Sequence, residues 1–312
     1  MSPIHPPAET AIRAALRHRR PQVLWLLFRD EPEGTRLARV DAALRASQKG
    51  TEPLDDLLEA CRGRAIVGAT WAQVMPGHTA LVWPPRLVDG EDESTAYDLL
   101  GELDRRLQQQ VVRVAQAPLQ SMDGADASRL IQHGYHHAAD LLYLLSMHES
   151  FPIMEPVSPL CFEVFRVSES ERLGHLIEVT YRDTLDIPAL DGVRDTTDVL
   201  AGYRSTGEYD PRHWFIATRQ SQDVGCLLLS DHPRHQQMEL VYMGLIPEAR
   251  GNRWGLTITR QAQWIARVAG RTKLVLAVDA ANSPAVASYA RSGFVEWERR
   301  HVFLRVYPAS CF

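Results

Sequence analysis

The 312-residue chain reads as an α/β (α+β) protein of two tandem domains, each a mixed central β-sheet flanked by helices. Three observations lead there. The length suits about two domains of ordinary size. Strand-like and helix-like stretches follow one another in the same order in both halves. Short pieces of text also recur: Val67-Gly68 resembles Val224-Gly225, Gly134-Tyr135 resembles Gly293-Phe294, and LLYLL (141–145) resembles HVFLR (301–305). Gly68 to Gly134 and Gly225 to Gly293 span nearly equal lengths, as expected of a domain-sized duplication.

The second half is the more legible. A short strand is expected at 163–167, then a helix over 168–182 opened by Ser168, with Glu171 placed for a capping box. A helical stretch at 197–203 precedes strands at 214–218, 225–230 and 238–246, the last two separated by the turn DHPRHQQ. A glycine-containing loop (247–255) leads into a helix to about 268, with Ile258, Ala262, Ile265 and Ala266 near one face. KLVLAV (273–278) reads as a buried strand, 283–291 as a short helix, and 294–306 as a closing strand or strand pair. In the first half, strands are expected at 23–28, 66–75, 80–83, 111–115 and 138–145, and helices at 41–47, 54–62, 95–109 and 127–133. The proline-bearing stretch 146–161 has neither period, which predicts domains at 1–148 and 162–312 joined by a linker at 149–161.

At 45% hydrophobic and 23% charged residues, with a formal net charge of -5, the composition is that of a soluble globular protein. No basic stripe interleaved with aromatics points to nucleic acid, and RHRR (17–20) reads as a solvated helix end. Cys61, Cys161, Cys226 and Cys311 are scattered without a CxxC pair, so neither a disulfide framework nor a bound metal is expected. His213, His232 and His235 show no zinc-ligand framework and read as surface residues. No apolar run approaches the ~20 residues needed to span a bilayer. MSPIHPPAET lacks the regions of a signal peptide, so the expected location is cytoplasmic, with no membrane partner.

Chemistry concentrates in MELVYMGLIPEARGNRWG (238–255). A strand ends at Pro247, a loop carries Arg250, Gly251 and Gly255, and a helix begins. Backbone N–H groups at a helix start lack partners and attract phosphate, and glycines allow close backbone approach. About 30 residues on, NSPAVASYARSGF places Asn282 at the end of a buried strand. Ala285 and Tyr289 lie on one face of the next helix, and Gly293-Phe294 marks its exit.

Together these segments resemble the GNAT (GCN5-related N-acetyltransferase) superfamily, whose signature is a strand, (Q/R)xxGx(G/A), a helix, and later an N…A…Y…GF segment. Residues 162–306 carry the resemblance. Arg250, Gly251, Asn252, Arg253, Trp254 and Gly255 match the first motif, and Asn282, Ala285, Tyr289 and Gly293-Phe294 the second. One departure stands out: the first signature glycine falls on Arg253.

The resemblance implies acetyl-CoA as co-substrate, lying between two parting parallel strands. Met243, Gly244 and Leu245 would bind the pantetheine arm, with the N–H of Leu245 polarising the thioester carbonyl. An amine would attack directly. Glu239 is the candidate base, on the same side as Leu245 if no bulge intervenes, and Tyr289 the candidate acid for the leaving thiolate. The acceptor, a small-molecule or peptide amine, would be met by Tyr181, Trp214 and the acidic stretch 180–198, with Asp183, Asp186, Asp191, Asp195 and Asp198. The first half resembles a worn copy: WPPRLVDGEDES (83–94) places carboxylates where a polyanion would lie, and no tyrosine precedes Gly134 in its helix. A non-catalytic acyl-CoA sensor is the competing reading, and the sequence leaves acyl-chain length and oligomeric state open.

Overall fold

A computed structural model describes residues 10–308 apart from 52 and 191; Cys311 and Asp191 lie outside the described residues. Both halves follow one element order. The first runs β1 (Thr10–Ala14), α1 (Arg20–Leu27), α2 (Glu33–Gln48), β2 (Leu57–Arg62), β3 (Ala65–Met75), β4 (Thr79–Leu87), α3 (Ser94–Gln109), β5 (Val114–Leu119), α4 (Ala125–Gln132) and β6 (His136–Met147). The second runs β7 (Cys161–Val164), α5 (Ser170–Tyr181), α6 (Thr196–Arg204), β8 (Trp214–Arg219), β9 (Gln222–His232), β10 (Gln237–Leu245), α7 (Trp254–Val268), β11 (Lys273–Asp279), α8 (Ser283–Arg291) and β12 (Val295–Val306). No helix among the described residues is long and apolar enough to cross a membrane.

Several sequence expectations are corrected. Residues 23–27 lie in helix α1 and Phe28 caps its end, rather than 23–28 forming a strand: Pro21 sits in the first turn, and Val23, Leu24 and Leu27 are buried. Residues 57–62 form strand β2 rather than part of a helix, because pairing with β1 on one side and β3 on the other overrides local preference. That pairing buries Glu59, which is held by Arg13 at 2.8 Å and Arg19 at 3.1 Å. Strand β1 itself has no counterpart in the sequence reading. Helix α5 starts at Ser170 after a short 3₁₀ turn, and no side chain caps it, so the Ser168–Glu171 capping box does not form.

The chain divides into two compact units, the first comprising residues up to His137 together with those from Phe303 on, the second Ala138–Val302. These are not the linear domains 1–148 and 162–312. Most of β6 belongs to the second unit, where it pairs antiparallel with β11 from Lys273↔Met147 to Asp279↔Leu141. The tail returns to the first unit. Phe303 and Tyr307 join the core of Leu99, Leu103, Leu130 and Tyr135, and the Tyr307 N–H donates to the Arg113 carbonyl at 2.9 Å. The Tyr307 hydroxyl donates to Asp104 at 2.5 Å, and Arg305 donates to the same carboxylate. Burial still pushes the Asp104 carboxyl above its usual range.

In the second unit the strand order is β6-β11-β10-β9-β8-β7. Helix α7 lays Ile258, Ala262 and Ala266 on Met238, Leu240, Leu274 and Leu276 of one sheet face. Helices α5 and α6 lay Leu173, Ile177, Val199 and Leu200 on Trp214, Ile216 and Leu228 of the other. Buried Gln263 of α7 donates to Ser146 Oγ at 2.8 Å and to the Ser292 carbonyl at 2.6 Å, tying β6 and the end of α8 to one helix. Phe303→Ala is expected to cost about 3–5 kcal/mol by emptying a closed core site. Chemical denaturation checks this, and a loss below about 1 kcal/mol would show that the tail is dispensable to the first unit.

Candidate active site

Strands β10 and β11 run parallel, but their pairing covers only Gln237↔Lys273, Met238↔Leu274 and Glu239↔Val275. Beyond Glu239 they part, although β10 continues to Leu245 and β11 to Asp279. On its other edge β10 stays paired with β9, with a register shift between Leu240 and Tyr242. That bulge reverses the alternation of faces. Met238 and Leu240 face α7, whereas Tyr242 lies against the α5–α6 cluster and Met243 and Leu245 pack toward α7. Glu239 and Leu245 therefore present side chains to opposite faces, which corrects the same-side expectation.

The backbone matters more than the side chains here. The Ile246 N–H donates to the Val224 carbonyl, so the N–H groups of Gly244 and Ile246 point toward β9. By alternation those of Met243 and Leu245 point the other way, into the gap beside β11. Two glycines permit the packing around this segment. A Cβ on Gly225 would lie 2.3 Å from the Gly244 carbonyl oxygen, and one on Gly244 would lie 2.6 Å from Thr180 Oγ1.

The turn ahead of α7 is an array of donors. The backbone N–H groups of 251–256 make no hydrogen bond among the described residues. Gly251 has φ 81° and Arg253 φ 61°. Arg253, at the position of the first signature glycine, thus holds a left-handed backbone that favours glycine, at a cost of about 1–2 kcal/mol. The Asn252 side chain closes the turn on the carbonyls of Ala249 and Arg250, each at 3.2 Å. Trp254 is buried in the core, leaving only its N–H on the loop. Arg250, expected at the phosphates, is committed elsewhere. Its guanidinium donates to the carbonyls of Leu245, Thr180, Arg182 and Asp183 at 2.8–3.2 Å. It clamps the end of α5 to β10.

The remaining residues divide between cleft and core. Asn282 caps α8, its Oδ1 accepting the Ala285 N–H at 3.3 Å, which explains the Asn…Ala spacing. Tyr289 is 5% exposed and packs on Phe294 with ring centroids 5.6 Å apart. Burial raises its pKa, so the phenol keeps its proton at neutral pH. Tyr181 shares a 2.7 Å hydrogen bond with the Tyr203 hydroxyl and lies edge-on to Tyr242. Trp214, 1% exposed, is a core residue rather than a lining one, because Phe165 and Tyr209 enclose its ring. Asp186 is the acidic-loop residue brought closest to this chemistry. Its Oδ1 accepts the Asp279 N–H at 3.0 Å, while Asp279 accepts the Ile187 N–H at 3.2 Å. Desolvation raises the Asp186 carboxyl.

One residue was missed. His232, read as a surface histidine, meets Glu239 through Nε2 at 2.9 Å. The register places Ser230 opposite Glu239 and Gln237 opposite His232, so the two side chains are diagonal neighbours on one face. The seven-residue turn between two strands was the available signal.

The first unit repeats the geometry with the donors already taken. Strands β4 and β5 pair in parallel only from Thr79↔Val114 to Leu81↔Gln116. At the following helix start, Asp92 accepts the Ser94 N–H at 2.8 Å and Glu91 the Thr95 hydroxyl at 2.7 Å. Asp89, Glu91 and Glu93 are paired with Arg29, Arg62 and Arg129.

The sequence model of the Acetyltransferase (GNAT) family matches residues 181–294. That match lies within the second unit and takes in both signature segments. Among curated proteins, the chain is 37% identical over 92 residues to a mycothiol acetyltransferase of Streptomyces bingchenggensis, covering 29% of each chain. It is 29% identical over 184 residues to one of Jonesia denitrificans, covering 57% of this chain and 58% of that one. The matches thus span less than two thirds of either relative. Solved structures show the GNAT fold across both units. A GCN5-related N-acetyltransferase from Sphaerobacter thermophilus has TM-score 0.64 at 16% identity, with 95% of each chain covered. A tandem GNAT protein from the clavulanic acid biosynthesis pathway has TM-score 0.53 at 14% identity, covering 97% of this chain and 100% of that one.

In the second unit, hydrogen bonding to Glu239 raises the pKa of His232. An NMR titration should therefore place its midpoint above the ordinary value of about 6.5, with the imidazolium persisting to higher pH. Glu239→Gln should lower the midpoint; an unchanged value would mean the two side chains do not pair in solution.

Proposed function

We propose that the GNAT unit transfers an acetyl group from acetyl-CoA to a primary amine by direct attack. The parting of β10 and β11, with the N–H groups of Met243 and Leu245 facing the gap, carries this reading. A pantetheine arm can complete the hydrogen bonds that β11 no longer supplies. The unpartnered N–H groups of 251–256 suit the pyrophosphate at the mouth of the gap. The Leu245 N–H would stabilise the oxyanion that develops on the thioester carbonyl.

The amine nitrogen forms a bond to the carbonyl carbon and the carbon–sulfur bond breaks. Glu239, directly or through a water, takes the proton the nitrogen loses, and His232 orients its carboxylate. Tyr289, kept protonated by burial, gives its proton to the departing sulfur. No covalent enzyme intermediate forms. Asp186 and Tyr181 offer the acceptor a carboxylate and a phenol beside the gap, which favours an amine that arrives as a cation. In the first unit the equivalent turn is filled by its own carboxylates, and we assign it no donor site. The names of the curated relatives, acetyltransferases, support acetyl transfer.

Calorimetric titration of acetyl-CoA should give saturable binding at one site per chain, and two equal sites would overturn the assignment for the first unit. In an amine screen, Tyr289→Phe should slow turnover by roughly 10²–10⁴-fold while donor binding is retained. Donor binding with no amine acetylated would replace the enzyme with a sensor, and no binding at all would sink the acetyl-CoA reading.

A further inference from the structure

The reactions above leave one cleft of the second unit unused. A cavity of about 730 Å³ opens among the first turns of α7, the end of α8 and the segment 150–157. Arg253, Arg260 and Arg291 line it, with Ser150, Thr257 and Ser292, and no acidic side chain does. None of the three guanidiniums has a hydrogen bond or ion pair among the described residues. Elsewhere in the unit, Arg172 and Arg271 are each held by a carboxylate at 2.5–2.6 Å. Like charges gathered without a counter-charge repel one another, and an anion between them reverses the sign of the interaction.

The position of Arg253 says which anion. It is the N-cap of α7, so one end of the cleft is the donor-rich turn assigned to the pyrophosphate. Arg260 lies about 10 Å further along the helix axis. Arg253 also bears the backbone strain of φ 61°, which glycine would relieve. Strain of this kind persists at sites where the side chain is used.

We propose that this cleft binds the 3′-phosphate of the donor's ribose, so that the unit distinguishes acetyl-CoA from its 3′-dephospho form. The inference rests on the acetyl-CoA reading and deepens it. A phosphomonoester carries close to two negative charges at neutral pH, and guanidinium forks match its oxygens. It stands one ribose away from the pyrophosphate, and Arg253 is shared between the two groups. Arg260 and Arg291 serve the phosphomonoester alone.

The test is calorimetric titration of acetyl-CoA and of 3′-dephospho-acetyl-CoA into the full chain and into R260Q/R291Q. Both arginines are exposed, and a native-like melting profile confirms that the variant is folded. The full chain should bind the phosphorylated donor about tenfold or more tightly, as expected for charge-assisted hydrogen bonds to one phosphate. The double variant should lose that preference by weakening acetyl-CoA binding alone, leaving the dephospho donor within about twofold. Equal binding of both donors by the full chain, or equal weakening of both in the variant, would overturn the proposal and leave the donor assignment standing. Binding of neither donor would remove the acetyl-CoA reading and this inference with it.

Discussion

The second unit is organised around two strands that stop pairing. A parallel ladder of three residue pairs holds β10 to β11, and then the strands diverge. A sheet interior with unpaired backbone groups is costly unless something else satisfies them. The bulge at the middle of β10 turns the strand while β9 keeps its far edge saturated, so the open donors all face one way. Arg250 then fixes the geometry from behind, holding four carbonyls of α5, its following loop and β10. The side chains proposed as acid and base, and the turn proposed to hold the pyrophosphate, belong to β10 and to the elements that follow it, α7 and α8.

The two units build the same helix start in different ways. Both keep the interruption, in the first unit between Leu81 and Leu87. What differs is the helix that follows. Where α7 begins with free N–H groups, α3 begins with carboxylates that bond to its own first turn and to nearby arginines. These carboxylates place negative charge at the helix start from within the chain. They give the unit a stabilised helix start.

Much of this was legible in the sequence, and the failures have physical reasons. Period and turn chemistry located α3, α7, β10, β11 and α8, because each is long, strongly patterned or flanked by glycine and asparagine. The two signature segments located the turn and Tyr289. Local patterns could not show that 57–62 is a strand, since its two neighbours in the sheet come from elsewhere in the sequence. Nor could they show that Arg250 is consumed by carbonyls, that Trp214 is enclosed in the core, or that a bulge reverses the facing of Glu239. His232 was overlooked for the same reason: its meaning depends on register, not on its neighbours in the sequence.

The placement of the final residues also has a consequence for how the chain is made. The first unit contains Phe303 and Tyr307 in its core, yet these emerge from the ribosome only after the whole of 138–302 has been synthesised. At ordinary rates of translation that is a delay of roughly ten to thirty seconds. For that interval the nascent first unit lacks two aromatic side chains and two of the partners of Asp104, Arg305 and Tyr307, with apolar surface uncovered. Neither half can be excised along a linear boundary, and a frameshift just before the codon of Phe303 would damage the half that was synthesised first.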